Sequence, residues 1–224
     1  MTSGKISAFA FIVSSQSANK LKKQHPKLNR LRTIYGLEAK NPGIILPSAD
    51  LDLAVKECIL GTLSYNGQRC TALKILFVHR QIVDTFLEKF SAAVSQLTVG
   101  MPWDEGVMIT PLPDVQKTQY FTELVDDATH QGACVINPGG GRVDGSLFYP
   151  AVLYPVTPAM RLYSEEQFGP VIPVVPYDDI ETPIDYMVNS DHGQQVSIFG
   201  QDTDAIADLI DPLVSQVCRV NLNS

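Results

Sequence analysis

The sequence predicts an α/β fold, a largely parallel sheet with flanking helices. Two observations carry this. Short apolar runs alternate along the chain with longer segments whose apolar residues recur at helical spacing. The composition, 45% hydrophobic and 18% charged over 224 residues, is that of a chain able to bury a core. It excludes a disordered or fibrous protein, and no apolar run is long enough to span a bilayer.

Residues 6–13 read as a strand rather than a signal peptide, because one lysine precedes them and no convincing cleavage site follows. Residues 17–24 read as a short helix stopped near Pro26. Residues 43–46 form a short buried strand. Ser48 and Asp50 then supply cap residues for a helix with Leu51, Val55, Ile59 and Leu63 on one face, stopped at Tyr65-Asn66-Gly67. A strand at 73–78 leads to the clearest helix, 81–97, with Ile82, Phe86, Phe90, Ala93, Val94 and Leu97 in one stripe. A helix at 115–131 ends at Gly132 and is followed by a strand at 133–137. Residues 148–154 and 171–177 are predicted strands broken by prolines. Strands at 196–199 and 217–222 enclose a helix at 203–214. No internal repeat or low-complexity tract is present.

Charge is uneven. The first 42 residues carry eight Lys/Arg (Lys5, Lys20, Lys22, Lys23, Lys27, Arg30, Arg32, Lys40) against one acid, Glu38. Against an overall −7, the remaining 182 residues hold 9 basic and 23 acidic side chains and sum to −14. The basic stretch reads first as a solvated helix face, second as a phosphate-binding patch. The acidic body speaks against nucleic acid as a partner. The charge changes sign near 36–42, which places a boundary there: residues 1–38 and 39–224. Cys58, Cys70, Cys134 and Cys218 include no CxxC pair and no Cys/His cluster at zinc spacing, so reduced thiols in a cytoplasmic protein are expected, with no metal.

Cys70 lies in Tyr65-Asn66-Gly67-Gln68-Arg69-Cys70-Thr71-Ala72, on a loop between a helix and a strand, where a nucleophile can be presented. Arg69 beside it would favour the thiolate. A lone cysteine is more often an inert small hydrophobe; Cys58, Cys134 and Cys218, inside apolar segments, are read that way. Glu165-Glu166-Gln167-Phe168-Gly169-Pro170 places two acids before a break and an apolar strand. Such a segment either holds hydroxyls and relays protons or is simply a polar turn. Glu38 alone reads as solvated. The glycines 139–141 read as a flexible loop, since no helix opens after them and no P-loop lysine follows.

Taken together, these segments resemble the aldehyde dehydrogenase superfamily. Asn66-Gly67-Gln68-Arg69-Cys70-Thr71 is similar to its nucleophile loop, and Glu165 to Val171 to its second signature at the expected distance. Lys40-Asn41-Pro42, Ala49 to Asp52 and Asn189 to Phe199 match its surroundings, with Gln194 in place of a usual leucine. The match runs from about residue 8 to the end. It implies an aldehyde-dehydrogenase-like catalytic domain in which thiolate Cys70 attacks an aldehyde, a nicotinamide accepts hydride, and water releases the acid from a thioester. The Cys70 N–H would help hold the oxyanion, Glu166 the nicotinamide ribose, and Phe168 would pack at the nicotinamide end of NADP or NAD. Asn66 to Lys74 and Met160 to Pro173 resemble the non-phosphorylating glyceraldehyde-3-phosphate dehydrogenases. That implies NADP, a phosphorylated aldehyde and Arg69 near its phosphate.

Four departures qualify the resemblance. The family's general base lies in Glu-Leu-Gly-Gly-Lys; an ungapped match puts that place at Gly36, with Glu38 two residues on, about 7 Å along the same strand face. Glu38 then either substitutes, or deacylation is slow. Phe11-Ile12-Val13-Ser14-Ser15 stands where Phe-Thr-Gly-Ser is usual; a valine replaces the glycine, leaving Ser14 as the cofactor-binding candidate. Relative to the family, the chain reads as truncated at both ends. Residues 1–38 would be a remnant of the cofactor domain, and later segments used for homo-oligomers would be absent. Weak or no NADP binding by the chain alone is therefore expected. The alternatives are an inactive remnant serving as an interaction or oligomerisation module, and a cofactor-independent thiol esterase.

Overall fold

The structure is a computed structural model that describes residues 1–224. It separates into two units, Met1–Ala39 and Lys40–Ser224.

In the first unit, β1 (Ala8–Ile12), α1 (Ser15–Lys23) and β2 (Arg32–Gly36) form a parallel β-α-β arrangement, with Ala8 opposite Arg32 and Ile12 opposite Gly36. Ser14 caps α1 by accepting the Ser17 N–H, and Lys20, Lys22 and Lys23 sit in its last turn, where cations suit the helix dipole. Buried His25 donates from Nε2 to the Ile6 carbonyl at 3.0 Å and accepts the Lys27 N–H at Nδ1, which fixes its tautomer. Strand β2 was not expected. Arg32, Thr33, Ile34 and Tyr35 do alternate, but the more exposed members are a cation and an isoleucine, so no polar-apolar rhythm marks them.

The second unit is built on β3 (Pro42–Ile45), α2 (Leu51–Leu63), β4 (Ile75–His79), α3 (Val83–Ser95), α4 (Gln116–His130), β5 (Cys134–Val135), the small hairpin β6 (Val143–Asp144) and β7 (Leu147–Phe148), β8 (Ala151–Tyr154), α5 (Arg161–Ser164), β9 (Val171–Tyr177), α6 (Glu181–Asn189), β10 (Gln195–Phe199), α7 (Thr203–Leu213) and β11 (Arg219–Leu222). Seven strands make one sheet in the order β11-β10-β3-β4-β9-β8-β5, parallel throughout except for β5 against β8.

Side chains alternate across this sheet, so each strand feeds two cores. Ile44, Phe77 and Ile198 join Phe121 and Leu124 of α4, Ile184 of α6 and Leu209 of α7 on one face. Ile45, Leu76 and Val78 join Val55 and Ile59 of α2 and Phe86 and Phe90 of α3 on the other. Central strands buried on both faces explain the unbroken apolar runs in the sequence.

Several expectations are corrected. Pro173 and Pro176 do not break β9, which stays paired with β4 and β8 despite two missing N–H donors. The strand expected at 133–137 shortens to Cys134–Val135, because Asn137 turns its side chain onto Pro150 O and Val152 N. Helices α5 and α6 were missed: α5 has only four residues, and α6 carries Pro183 near its start. Cys134 and Cys218 are exposed rather than buried; only Cys58 lies in the core.

Candidate active site

The polar interior of the second unit gathers at the amino ends of adjacent strands. Asn41 precedes β3, Lys74 precedes β4, Gln167 lies ahead of β9, and Gln195 opens β10; all four are buried. Buried polar groups must be satisfied: Asn41, Lys74 and Gln195 donate to carbonyls of residues 69–72, and Gln167 donates to Lys74 O and Val171 O.

The first loop carries Cys70. Helix α2, capped by Asp50, ends at Leu63, and Tyr65, Asn66 and Gly67 then take three successive positive φ angles (54°, 57° and 70°). That reversal suits asparagine and glycine. Asn66 is held there by Thr110: its Nδ2 donates to Thr110 O at 3.0 Å, and its Oδ1 accepts Thr110 N–H at 2.9 Å. Gly67 has no alternative, since a Cβ would lie 2.7 Å from Thr62 O and 2.8 Å from Gly169 O.

Beyond it, four successive carbonyls are tied from behind. Arg69 O accepts from Lys74 Nζ (2.9 Å), Cys70 O and Ala72 O from Asn41 Nδ2 (2.8 and 2.9 Å), and Thr71 O from Gln195 Nε2 (2.8 Å). The thiol-bearing residue itself is exposed, and no protein acceptor takes the Cys70 N–H. Cys70 is thus presented by a rigid peptide segment with an amide free to meet an oxyanion.

The second loop is Glu165 to Pro170. Gln167 is its anchor. Its Oε1 accepts from Lys40 Nζ at 2.6 Å, and its Nε2 donates to Lys74 O and Val171 O. Lys40 also donates to Glu165 O at 2.7 Å. Glu165 is turned away by Arg161, which binds both its oxygens, and by Tyr120. These hydrogen bonds, Arg161 first, hold its carboxyl below the ordinary range. Glu166 points to Lys74, 2.7 Å away, with the Lys74 side chain 1% exposed. Phe168 sits at φ 43°, its ring centroid 5.0 Å from Lys74 Nζ. The close approach of Gly67 to Gly169 brings the two loops together, so Cys70, Glu166 and Phe168 share one region of the second unit.

Arg69 is half-buried and folds back onto α2. Its Nη2 donates to Leu60 O and Gly61 O near the end of α2, a placement suited to a cation, while its buried Nε has no partner. It lines a cavity of about 320 Å³ together with Ser64, Thr71, Gln195 and Arg219. In the first unit, both oxygens of Glu38 accept the Ser15 N–H at 2.9 Å, and one accepts its hydroxyl, so this carboxylate sits on the head of α1. Ser14 is the cap of that helix. Sequence reasoning singled out Cys70, Arg69, Glu166 and Phe168 but missed Asn41, Lys74, Gln167 and Gln195. A lone lysine in the otherwise apolar Ala72-Leu73-Lys74-Ile75-Leu76 was the available signal for one of them.

Lys40 is fully buried, and burial first, then the nearby Lys74, lowers its amine to about 7. A neutral amine keeps two N–H donors, enough for Glu165 O and Gln167 Oε1. Since its folded value lies below 10.5, the unfolded chain binds more protons between about pH 7 and pH 10. The cost of this buried cation is fully felt below pH 7 and is relieved as pH rises. Stability should therefore increase from pH 6.5 to 9, Lys74, lowered in the same direction, adding to the slope. Lys40→Met should flatten the pH dependence of urea midpoints; an equal slope in the variant would refute this assignment.

An α/β scaffold with an exposed thiol on a buttressed loop, beside a glutamate-bearing second loop, defines a class, and sequence comparison agrees. The profile of the aldehyde dehydrogenase family matches residues 1–224, and the chain belongs to that family. It is similar to the NADP-dependent glyceraldehyde-3-phosphate dehydrogenase of Streptococcus equinus, 42% identical over 163 residues, covering 73% of this chain and 34% of the relative. It is also similar to that of Apium graveolens, 36% identical over 185 residues, covering 83% and 37%. Among solved structures it matches the NADP complex of the Bacillus halodurans C-125 NADP-dependent glyceraldehyde-3-phosphate dehydrogenase, with TM-score 0.89 and 34% identity, over 98% of this chain and 44% of that one. The chain thus spans little more than a third of the curated relatives' length.

Proposed function

We propose that this chain carries the thiol chemistry of an NADP-dependent dehydrogenase that oxidises a phosphorylated aldehyde to its acid, with Cys70 as the nucleophile. The observation that carries this reading is the loop in which the carbonyls of residues 69–72 are pinned inward while the thiol and its own N–H are left to the substrate.

The Cys70 thiolate adds to the aldehyde carbon, and the carbonyl oxygen takes the negative charge, facing the Cys70 N–H. NADP, when bound, supplies the acceptor for the hydride that this adduct must lose. The residues of the second loop fit such a cofactor: Glu166 is a carboxylate able to accept ribose hydroxyls, and Phe168 offers an aromatic face nearby. Ser14 is proposed for the cofactor on family resemblance, its hydroxyl at present serving α1. The resulting Cys70 thioester is cleaved by water, with Glu38 proposed to take its proton. Both Glu38 oxygens already accept from Ser15, which competes with the water for them, so that step is expected to be slow. A phosphorylated substrate is proposed on family resemblance; Arg69 and Arg219 line one cavity, which Glu57 also lines. In the same proposal residues 1–38 are a piece of the cofactor-binding domain and 39–224 the thiol domain, and the whole protein is cytoplasmic and a homo-oligomer. No helix is long and apolar enough to cross a membrane.

Thiol labelling followed by mass spectrometry, as a function of pH and with or without NADP, tests the assignment. Cys70 should react fastest near neutral pH, and Cys58 slowest because burial pushes its thiol up. NADP protection would support cofactor docking at Glu166 and Phe168. Cys70 labelling no faster than exposed Cys134 and Cys218 would leave the second reading, an inactive family member acting as an interaction module.

A further inference from the structure

None of the roles assigned to Cys70, Glu166 or Glu38 draws on the basic start of the chain. Residues 1–39 carry seven Lys/Arg against one acid, Glu38, and so sum to +6. Three of these cations, Lys27, Arg30 and Arg32, line a cavity of about 600 Å³ that no acid lines. One wall is the chain running into β1, the other the turn running into β2. The two walls are locked together. Buried His25 donates from Nε2 to Ile6 O, and its Nδ1 accepts the Lys27 N–H. The Arg32 N–H donates to Ser7 O at 3.0 Å, and the Arg30 N–H to Lys27 O at 3.0 Å. The three cations are therefore carried on a fixed frame. Their side chains make no hydrogen bond or ion pair, and neither do those of Ser7 and Asn29, which share the lining.

We propose that this cavity is a site for a small phosphate-bearing anion, separate from the place proposed for NADP and independent of the reading of Cys70. Three like charges held unpaired around one hollow repel one another, and a multivalent anion removes that repulsion. Phosphate is the group that the donors suit. Each guanidinium offers a planar fork to two oxygens, Lys27 adds a point charge, and the Ser7 hydroxyl and Asn29 amide add uncharged donors. The volume is that of a small-molecule site rather than a track for a polymer, and the net charge of −7 argues against nucleic acid. The negative end of α1 lies at this side of the unit, and Lys20, Lys22 and Lys23 in its last turn offset it. The cavity sits where β1 and β2 begin, at Ala8 and Arg32, whereas Ser14 and Glu38 lie past the ends of those strands. The length of strand between the two places is about 16 Å.

Titration calorimetry of the unsubstituted chain with inorganic pyrophosphate and with glycerol phosphate tests this. One saturable site per chain is expected, tighter than about 1 mM, and the tighter probe tells a free diphosphate from a phosphate ester as the source. Lys27→Gln with Arg32→Gln should weaken binding about tenfold. Lys56→Gln with Lys117→Gln removes two cations from the second unit instead and should leave the affinity unchanged. In the unsubstituted chain, affinity should fall severalfold between about 50 and about 300 mM KCl, as an exposed ionic site requires. No saturable heat with either probe would overturn the site. Equal weakening by the two pairs of substitutions would overturn it too, by showing attraction to overall charge alone. An affinity indifferent to KCl would do the same without any variant having to fold.

Discussion

Gly169→Ala is expected to be the most destabilising single-methyl change in the site. A Cβ there would lie 2.0 Å from Phe121 Cζ and 2.4 Å from Cε2, distances no carbon pair tolerates. The ring has nowhere to go. Phe121 is fully buried in α4 and meets Phe148 edge-on at 5.4 Å. Overpacking of this kind costs about 3 kcal/mol or more. In a domain of this size that lowers Tm by roughly 6–12 °C. The strain reaches the thiol loop, because Gly169 O is the atom against which Gly67 is packed. Phe121→Leu in the same background removes the offending ring tip and should recover much of the loss. A Tm unchanged within about 2 °C would show that the contact yields freely.

Cys70→Ser carries the largest expected effect on chemistry. With an activated ester as acyl donor and no cofactor, acyl transfer through this residue needs only the nucleophile and its amide. A serine hydroxyl without a base is a far poorer nucleophile than a thiolate, so turnover should fall on the order of a thousandfold or more. Cys134→Ser and Cys218→Ser remove the other exposed thiols and should leave the rate unchanged. Ester hydrolysis abolished in Cys70→Ser, in a chain that does not bind NADP, would favour the esterase reading. Equal hydrolysis in Cys70→Ser and the unsubstituted chain would exclude Cys70 as the acyl carrier.

Much of the scaffold was legible because periodicity reports burial. The α2 face of Val55, Ile59 and Leu63, and the α3 stripe of Phe86, Phe90 and Val94, lie in the core as their spacing implied. The Asp50 cap also read correctly, accepting two amides at the start of α2. Short or interrupted elements were lost: β2 with no fully buried residue, four-residue α5, and α6, where Pro183 masked a helix that buries Ile184, Tyr186 and Met187. Exposure of Cys134 and Cys218 was misjudged because β5 is only two residues long and Cys218 precedes β11, so apolar neighbours did not imply enclosure. Around the thiol, motifs located Cys70 and Glu166, but Asn41, Gln167 and Gln195 could not be recognised from one sequence. Their worth lies in which carbonyls they reach, over separations as long as Gln195 to Thr71, and no local pattern encodes that.

The four buried anchors share one border of the sheet, the amino ends of β10, β3, β4 and β9. Open parallel sheets usually carry their ligands at the opposite, carboxyl border. The consequence concerns which changes in length the family can accept. At the carboxyl border, the turns at 47–50, 80–82, 178–180 and 200–202 lead into helices, and insertions there would project outward. One residue added between Asn41 and β3, or between Lys74 and β4, would instead rotate the anchor to the other face of the pleat. Lineages should therefore record insertions and deletions along one rim of this sheet and almost none along the other.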